Sequence, residues 1–182
     1  MSTAVVILAE GFEEIEAVTQ IDVLRRAGVE VTVAGLSANR VRGAHGIEVG
    51  VDIPLAGLDF DPDVVVLPGG LPGSTNLGDD PAVVDLLRRQ SAAGRKVAAI
   101  CAAPAFAPVK AGVLDGRRAT CYPSFERHFG PTTTALEDRV VVDGNLTTSR
   151  GPGTALEFAL ELAAQLAGRD KADQLRAAML VE

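Results

Sequence analysis

The residues of this chain best suited to chemistry are two cysteines, two histidines and a run of glutamates near the start. Cys101 stands in Ala99-Ile100-Cys101-Ala102-Ala103, at the end of an apolar run of strand character and just ahead of a helix-like segment. A sharp strand-to-helix turn displays a nucleophile above a sheet and needs small neighbours, which the flanking alanines supply. A helix N-terminus at that point would lower the thiol pKa. Free cysteine is also among the most buried residue types, so a structural thiol is the competing reading for Cys101. It is the preferred one for Cys121, which has nothing small and turn-like around it. Gly69-Gly70 leaves backbone N–H groups uncovered by side chains, which suits an oxyanion hole beside a nucleophile, although a tight turn asks for the same glycines. Glu16 could face the crevice from a first helix, whereas a lone glutamate beside Glu13 and Glu14 more often sits in a solvated acidic turn. His45 and His128, taken alone, suit the surface better than catalysis.

For these residues to meet, the chain must supply a scaffold, and its periodicity describes one. Ala4 to Ala9 is a continuous apolar run of strand length, as in a strand buried on both faces. Ile15, Val18, Ile21 and Leu24 recur at spacings of three, with carboxylates in the first turn, and predict an amphipathic helix ending near Gly28. Glu30 to Gly35 reads as a second strand, completing a right-handed parallel βαβ unit. The alternation returns with a strand at Asp63–Leu67, a turn rich in Gly and Pro, a helix over Pro81–Ala93 and a strand at Lys96–Ile100. A helix over Ala105–Ala111 follows, then strand-like pieces at Ala119–Tyr122 and Val140–Asp143. Asp143-Gly144 before Leu146–Ser149 suggests a hairpin. Helices over Ala155–Leu166 and about Lys171–Met179 close the chain. With 182 residues the expectation is a single domain over 1–182. In such sheets ligands bind beyond the carboxyl ends of the strands. That singles out Glu10–Glu16, Pro68-Gly69-Gly70, Cys101 and Ser149–Gly153.

Several function classes drop out. Seventeen basic against 24 acidic residues leave a net charge of −7, which argues against a phosphate-binding surface for nucleic acid. The longest apolar run, Val97 to Val109, contains Pro104 and Pro108 and falls short of the ~18 residues of a membrane span. No basic residue precedes the first apolar run, so the start does not read as a secretory signal and the protein is expected in the cytoplasm. There the Asn145-Leu146-Thr147 triplet carries no glycosylation meaning. Two cysteines make no disulfide framework, and no Cys-x-x-Cys or His-x-x-x-His spacing supports a metal. Gly69-Gly70-Leu71-Pro72-Gly73-Ser74-Thr75 lacks the lysine of a P-loop, and Gly151-Pro152-Gly153 lies in the wrong context for a dinucleotide fingerprint.

Four segments together resemble one family: Val6-Ile7-Leu8-Ala9-Glu10-Gly11-Phe12-Glu13-Glu14-Ile15-Glu16, Val64 to Gly70 ending Leu-Pro-Gly-Gly, Ala99-Ile100-Cys101-Ala102-Ala103-Pro104, and Thr148-Ser149-Arg150-Gly151-Pro152-Gly153-Thr154. They are similar to the ThiJ/PfpI superfamily, and within it to the DJ-one branch, the parkinsonism-associated deglycase and its bacterial relatives, over nearly the whole chain. The resemblance implies a flavodoxin-like α/β sandwich, with a mostly parallel central sheet and helices on both faces, and a homodimer without cofactor or metal. It implies that Cys101 is an elbow nucleophile, that Glu16 is protonated and donates to the thiolate, and that the N–H groups of Gly70 and Ala102 stabilise an oxyanion. The implied activity is glutathione-independent glyoxalase III or protein deglycase chemistry on small 2-oxoaldehydes such as methylglyoxal and their early adducts. The rival is a redox-sensing, chaperone-like stress protein whose exposed thiol is oxidised by peroxide. Relatives often carry a histidine near the nucleophile where this chain has Tyr122. The peptidase-like branch carries histidine at the position of Ala102, so a Cys-His protease is disfavoured. Arg127-His128-Phe129-Gly130 does not supply the His-x-Glu of an amidotransferase. His45 stands where relatives place a basic residue reaching towards the partner's active site.

Overall fold

The computed structural model describes residues 1–36 and 39–181. In chain order the elements are β1 (Thr3–Leu8), α1 (Glu14–Arg26), β2 (Glu30–Gly35), β3 (Arg40–Arg42), β4 (Glu48–Gly50), β5 (Ile53–Pro54), β6 (Val64–Leu67), α2 (Gly73–Asp79) and α3 (Pro81–Ala92). They continue with β7 (Lys96–Ile100), α4 (Ala107–Lys110), β8 (Arg118–Ala119), β9 (Thr134–Ala135), β10 (Val140–Asp143), β11 (Leu146–Ser149), α5 (Ala155–Ala167) and α6 (Arg169–Ala178). The main sheet has the order β10-β11-β7-β6-β1-β2-β5. All of its pairings are parallel except the β10–β11 hairpin.

The unbroken apolar strands follow from burial on two faces. Successive side chains of a strand point to opposite sides. Ala4, Val6 and Leu8 of β1, Val64 and Val66 of β6, and Ala98 and Ile100 of β7 pack with α1, α5 and α6. Val5, Ile7, Val65, Leu67, Val97 and Ala99 point the other way, to Leu77, Val83, Leu86 and Leu87 of α2 and α3. The expected α/β sandwich with a mostly parallel sheet is the observed fold. Asp80 caps α3 by accepting from the Ala82 and Val83 N–H groups, with Pro81 preset in the first turn, a cap of about 1 kcal/mol.

The structure corrects three expectations. The Gly- and Pro-rich turn after β6 contains α2. The helix expected over Ala105–Ala111 is broken into a 3₁₀ turn at Ala103–Ala105 and the single turn of α4, because Pro104 and Pro108 each remove an N–H donor. Of Ala119–Tyr122 only Ala119 is extended and paired, with Ala135 of β9. The β3–β4 hairpin and β5 carry no signal of their own in the sequence. From β1 the chain moves outward to β2 on one side, and later to β6 and β7 on the other. The topological switch therefore falls between β1 and β6, where loops splay apart and leave a crevice at the strand ends.

Candidate active site

Three strand ends meet at this crevice. At the end of β7, Cys101 adopts φ +65°, a left-handed conformation uncommon for a residue with a side chain. Its backbone is held on both sides: Cys101 N–H donates to the Ser149 carbonyl at 2.9 Å, and the Cys101 carbonyl accepts from Tyr122 N–H at 2.8 Å. This strained turn lifts the thiol off the sheet. At the end of β6, Gly69 must be glycine, since a Cβ there would lie 2.5 Å from the Cys101 Cβ and 2.6 Å from Glu16 Oε2. Gly70, at φ +89°, turns the chain so that its amide and that of Ala102 both reach the Cys101 sulfur.

From the start of α1, beyond β1, Glu16 enters the same space and is fully buried. Its Oε2 accepts from Gly69 N–H at 2.7 Å. Oε1 is buried with no hydrogen-bond partner among the described residues, and the carboxyl lies beside the Cys101 side chain across Gly69. Burial lifts the Glu16 carboxyl to about 7, against the pull of the Gly69 amide and of the thiol. Burial, and after it the Glu16 carboxylate, pushes the Cys101 thiol upward. The sequence-based expectation of a thiol pKa lowered by a helix N-terminus therefore fails, because the broken turns after Cys101 supply only the Ala102 amide, which with that of Gly70 does not offset burial. Two acids that each resist ionising beside the other behave as a pair. Near neutral pH they share one proton between carboxyl and thiol, and the Gly70 and Ala102 amides offset part of the rise on sulfur.

The solvated acidic turn also fails as a description. Glu13, Glu14 and Glu16 are all buried. Glu14 Oε1 accepts from the backbone N–H of His45 at 2.7 Å and of Ile47 at 3.3 Å, and Oε2 lies 2.9 Å from His45 Nδ1. These hydrogen bonds hold the Glu14 carboxyl below its ordinary range despite its burial. The same contact raises His45, with further help from the Glu13 charge. Glu13, Glu14 and His45 lie close enough to bracket a cation. Both Glu14 oxygens and Nδ1 are already hydrogen-bonded, however, so the trio is a closed ion pair and not a vacant set of ligands.

Cys101, Ala102 and Gly70 form the floor of a pocket of about 250 Å³. Leu71, Tyr122 and Phe125 form its apolar wall, and Glu13 and His45 line it from the other side. The structure thus brings together Cys101, Glu16, Gly70 and Ala102, and adds His45 and Tyr122. Leu71 and Phe125 escaped the sequence reading; the one signal for Phe125 is its i,i+3 spacing from Tyr122, and the two rings meet edge to face. His128 lies outside the pocket lining, stacked against Phe106. Cys121 lines a separate cavity of about 140 Å³ beside Arg150 and Glu126, where burial raises it to about 12. Iodoacetamide at neutral pH should label Cys101, which faces the larger pocket, ahead of Cys121, as read by peptide mass spectrometry. Preferential labelling of Cys121 would reverse the assignment of the reactive thiol.

A buried cysteine–glutamate pair at the switch point of a parallel sheet, with the cysteine on a left-handed strand-to-helix turn, defines a class of α/β proteins built around an elbow thiol. The chain belongs to the DJ-1/PfpI family, whose model matches residues 2–165, and within it to the DJ-1 branch. It is 48% identical over 182 residues to the protein DJ-1beta of Drosophila melanogaster, covering 98% of this chain and 97% of that protein. The crystal structure of that fly protein superposes with a TM-score of 0.95 over the whole of both chains. A Caenorhabditis elegans protein named glutathione-independent glyoxalase DJR-1.2 is 35% identical over 176 residues, covering 96% of this chain and 93% of that protein. No helix among the described residues is long and apolar enough to cross a membrane.

Proposed function

We propose that this protein is a cysteine-dependent, glutathione-independent glyoxalase of the cytoplasm, acting on small 2-oxoaldehydes such as methylglyoxal and, through the same intermediate, on their early adducts with proteins. The observation that carries the reading is the placing of the buried Glu16 carboxyl beside Cys101 across Gly69, with Cys101, Gly70 and Ala102 lining one pocket. The name of the nematode relative supports it. Sulfur attacks the aldehyde carbon as the proton of the pair passes to Glu16, so no charge is added to a buried site. The oxygen of the former carbonyl becomes an alkoxide within reach of the two amides. Glu16 protonates it and gives a hemithioacetal. Moving the proton of the aldehyde carbon to the neighbouring carbon oxidises the first and reduces the second, leaving a 2-hydroxy thioester with no outside redox partner. Water then releases the 2-hydroxy acid and restores the thiol.

The test is consumption of methylglyoxal in the absence of glutathione, with lactate formed in equal amount and activity lost after iodoacetamide treatment. Absence of turnover would move the sensor reading ahead. That second reading rests on Cys101 lying at the floor of a pocket open to solvent, where peroxide can reach it.

A homodimer goes with the proposed function. Ile15 and Val18, one turn apart on α1, are 57% and 47% exposed, and Ile47 on the β3–β4 hairpin is 58% exposed. Apolar groups so placed suit an interface more than open water. Light scattering at micromolar concentration should give about twice the 18.8 kDa of the chain; the monomer mass would exclude this interface.

A further inference from the structure

We infer that His45, oriented by Glu14, is the general base that delivers water to the Cys101 thioester in the last step of the proposed reaction. The inference rests on the glyoxalase reading and adds a residue to it.

The release step needs a base that Glu16 is poorly placed to be. Glu16 is fully buried, its Oε2 is held by the Gly69 amide and its carboxyl is engaged with the thiol. Water enters from the mouth of the pocket, where His45 is among the lining residues and keeps a 70% exposed side chain. The ring is not loose there. Glu14 is anchored by the His45 and Ile47 amides and fixes Nδ1 at 2.9 Å. A carboxylate on Nδ1 places the proton on that nitrogen and leaves Nε2 as the acceptor. Among the described residues Nε2 has no hydrogen-bond partner. The buried carboxylate, the oriented imidazole and the electrophile on the same pocket floor thus form an acid–base relay separate from the Cys101–Glu16 pair. It also answers the departure at Tyr122, where the position expected to hold a histidine holds a phenol.

The step balances. Water oxygen bonds to the thioester carbonyl carbon as Nε2 takes one of its protons, and the carbonyl oxygen becomes an oxyanion between the Gly70 and Ala102 amides. Collapse breaks the carbon–sulfur bond, and the thiolate recovers its proton through the pair with Glu16. The imidazolium returns its proton to solvent. The charged groups facing the ring are Glu13, at 3.5 Å, and Glu14. Arg42 of the same hairpin is engaged with Glu48 and the Gly46 carbonyl. Both facing charges raise the histidine, so hydrolysis should climb with pH as the ring loses its proton, at a value above the ordinary 6.5.

The experiment compares wild type and His45→Ala reacting with methylglyoxal, quenched in time and read by intact-mass spectrometry. In the variant we expect a burst of one aldehyde per chain, then turnover slower by about 100-fold, the usual scale for losing a general base. A Cys101 adduct should accumulate that survives removal of free aldehyde and is released by hydroxylamine as the hydroxamate, which marks a thioester and not a reversible hemithioacetal. Added imidazole should speed its decay, and iodoacetamide should still alkylate Cys101 at the wild-type rate. Glu14→Gln should shift the pH limb of hydrolysis downward, since the ring loses the charge that raises it. Wild-type turnover in His45→Ala, or slow turnover without a hydroxylamine-sensitive adduct, overturns the inference. A wild-type protein that consumes no aldehyde overturns the glyoxalase reading itself, a failure visible without any variant.

Discussion

Cys101→Ala is expected to bring methylglyoxal turnover down to the uncatalysed background, a loss on the order of 10⁴-fold or more, as for removal of other catalytic nucleophiles. The loss should be chemical and not structural. The thiol is buried but contributes little volume beyond a methyl group, and alanine meets the same left-handed backbone at φ +65°, a conformation costing roughly 1–2 kcal/mol for either residue. Circular dichroism and thermal midpoint should therefore stay close to wild type. Cys121→Ala is the matched control, because that thiol lines a different cavity, and it should keep full turnover. Activity persisting in Cys101→Ala, or lost in Cys121→Ala, would remove the basis of the proposed chemistry.

The second large effect concerns Glu16→Gln. An amide can still accept from Gly69 N–H but cannot take the thiol proton or pass it between carbons. Turnover should fall by about 100-fold or more, while Cys101 remains open to alkylation. Stability should move the other way. The carboxyl ionises near 4.5 when exposed in the unfolded chain and at about 7 in the folded protein. A raised folded value means that its stability contribution is complete below pH 4.5 and is lost as pH climbs through 7. At 1.36 kcal/mol per pH unit, the cost above pH 7 is on the order of 3 kcal/mol. Glu16→Gln should thus melt with wild type at pH 4 and clearly above it at pH 8. Equal melting temperatures at both pH values would mean that the carboxyl is not held protonated by burial.

The local rules of the sequence carried much of this arrangement. Apolar runs in β1, β6 and β7, each followed by a segment containing glycine or small residues, located the strand ends where the thiol and the glycines lie. What stayed illegible depends on partners distant in sequence. Glu14 resembles a solvated first-turn carboxylate until the hairpin, some thirty residues on, brings the His45 and Ile47 amides to it. The helix α2 contains Gly73, Ser74 and Gly78, poor helix formers, and is held by packing in which Gly78 accepts the close approach of Phe106. The strands β3, β4 and β5 span three, three and two residues, too short for an alternation to register. The sign of the Cys101 shift turned on desolvation, which no local pattern encodes.

The strand order also distributes the site over parts of the molecule that open at different free energies. Every residue of β6 is buried between β1 and β7, so amides there exchange with deuterium only when the whole chain unfolds. Cys101 and Gly69 are rooted in that slow block. His45 is rooted in the β3–β4 hairpin, a two-stranded sheet separate from the main one, whose amides can open locally. Rising denaturant should strip the base from the mouth of the pocket while the thiol on its floor is still fully formed.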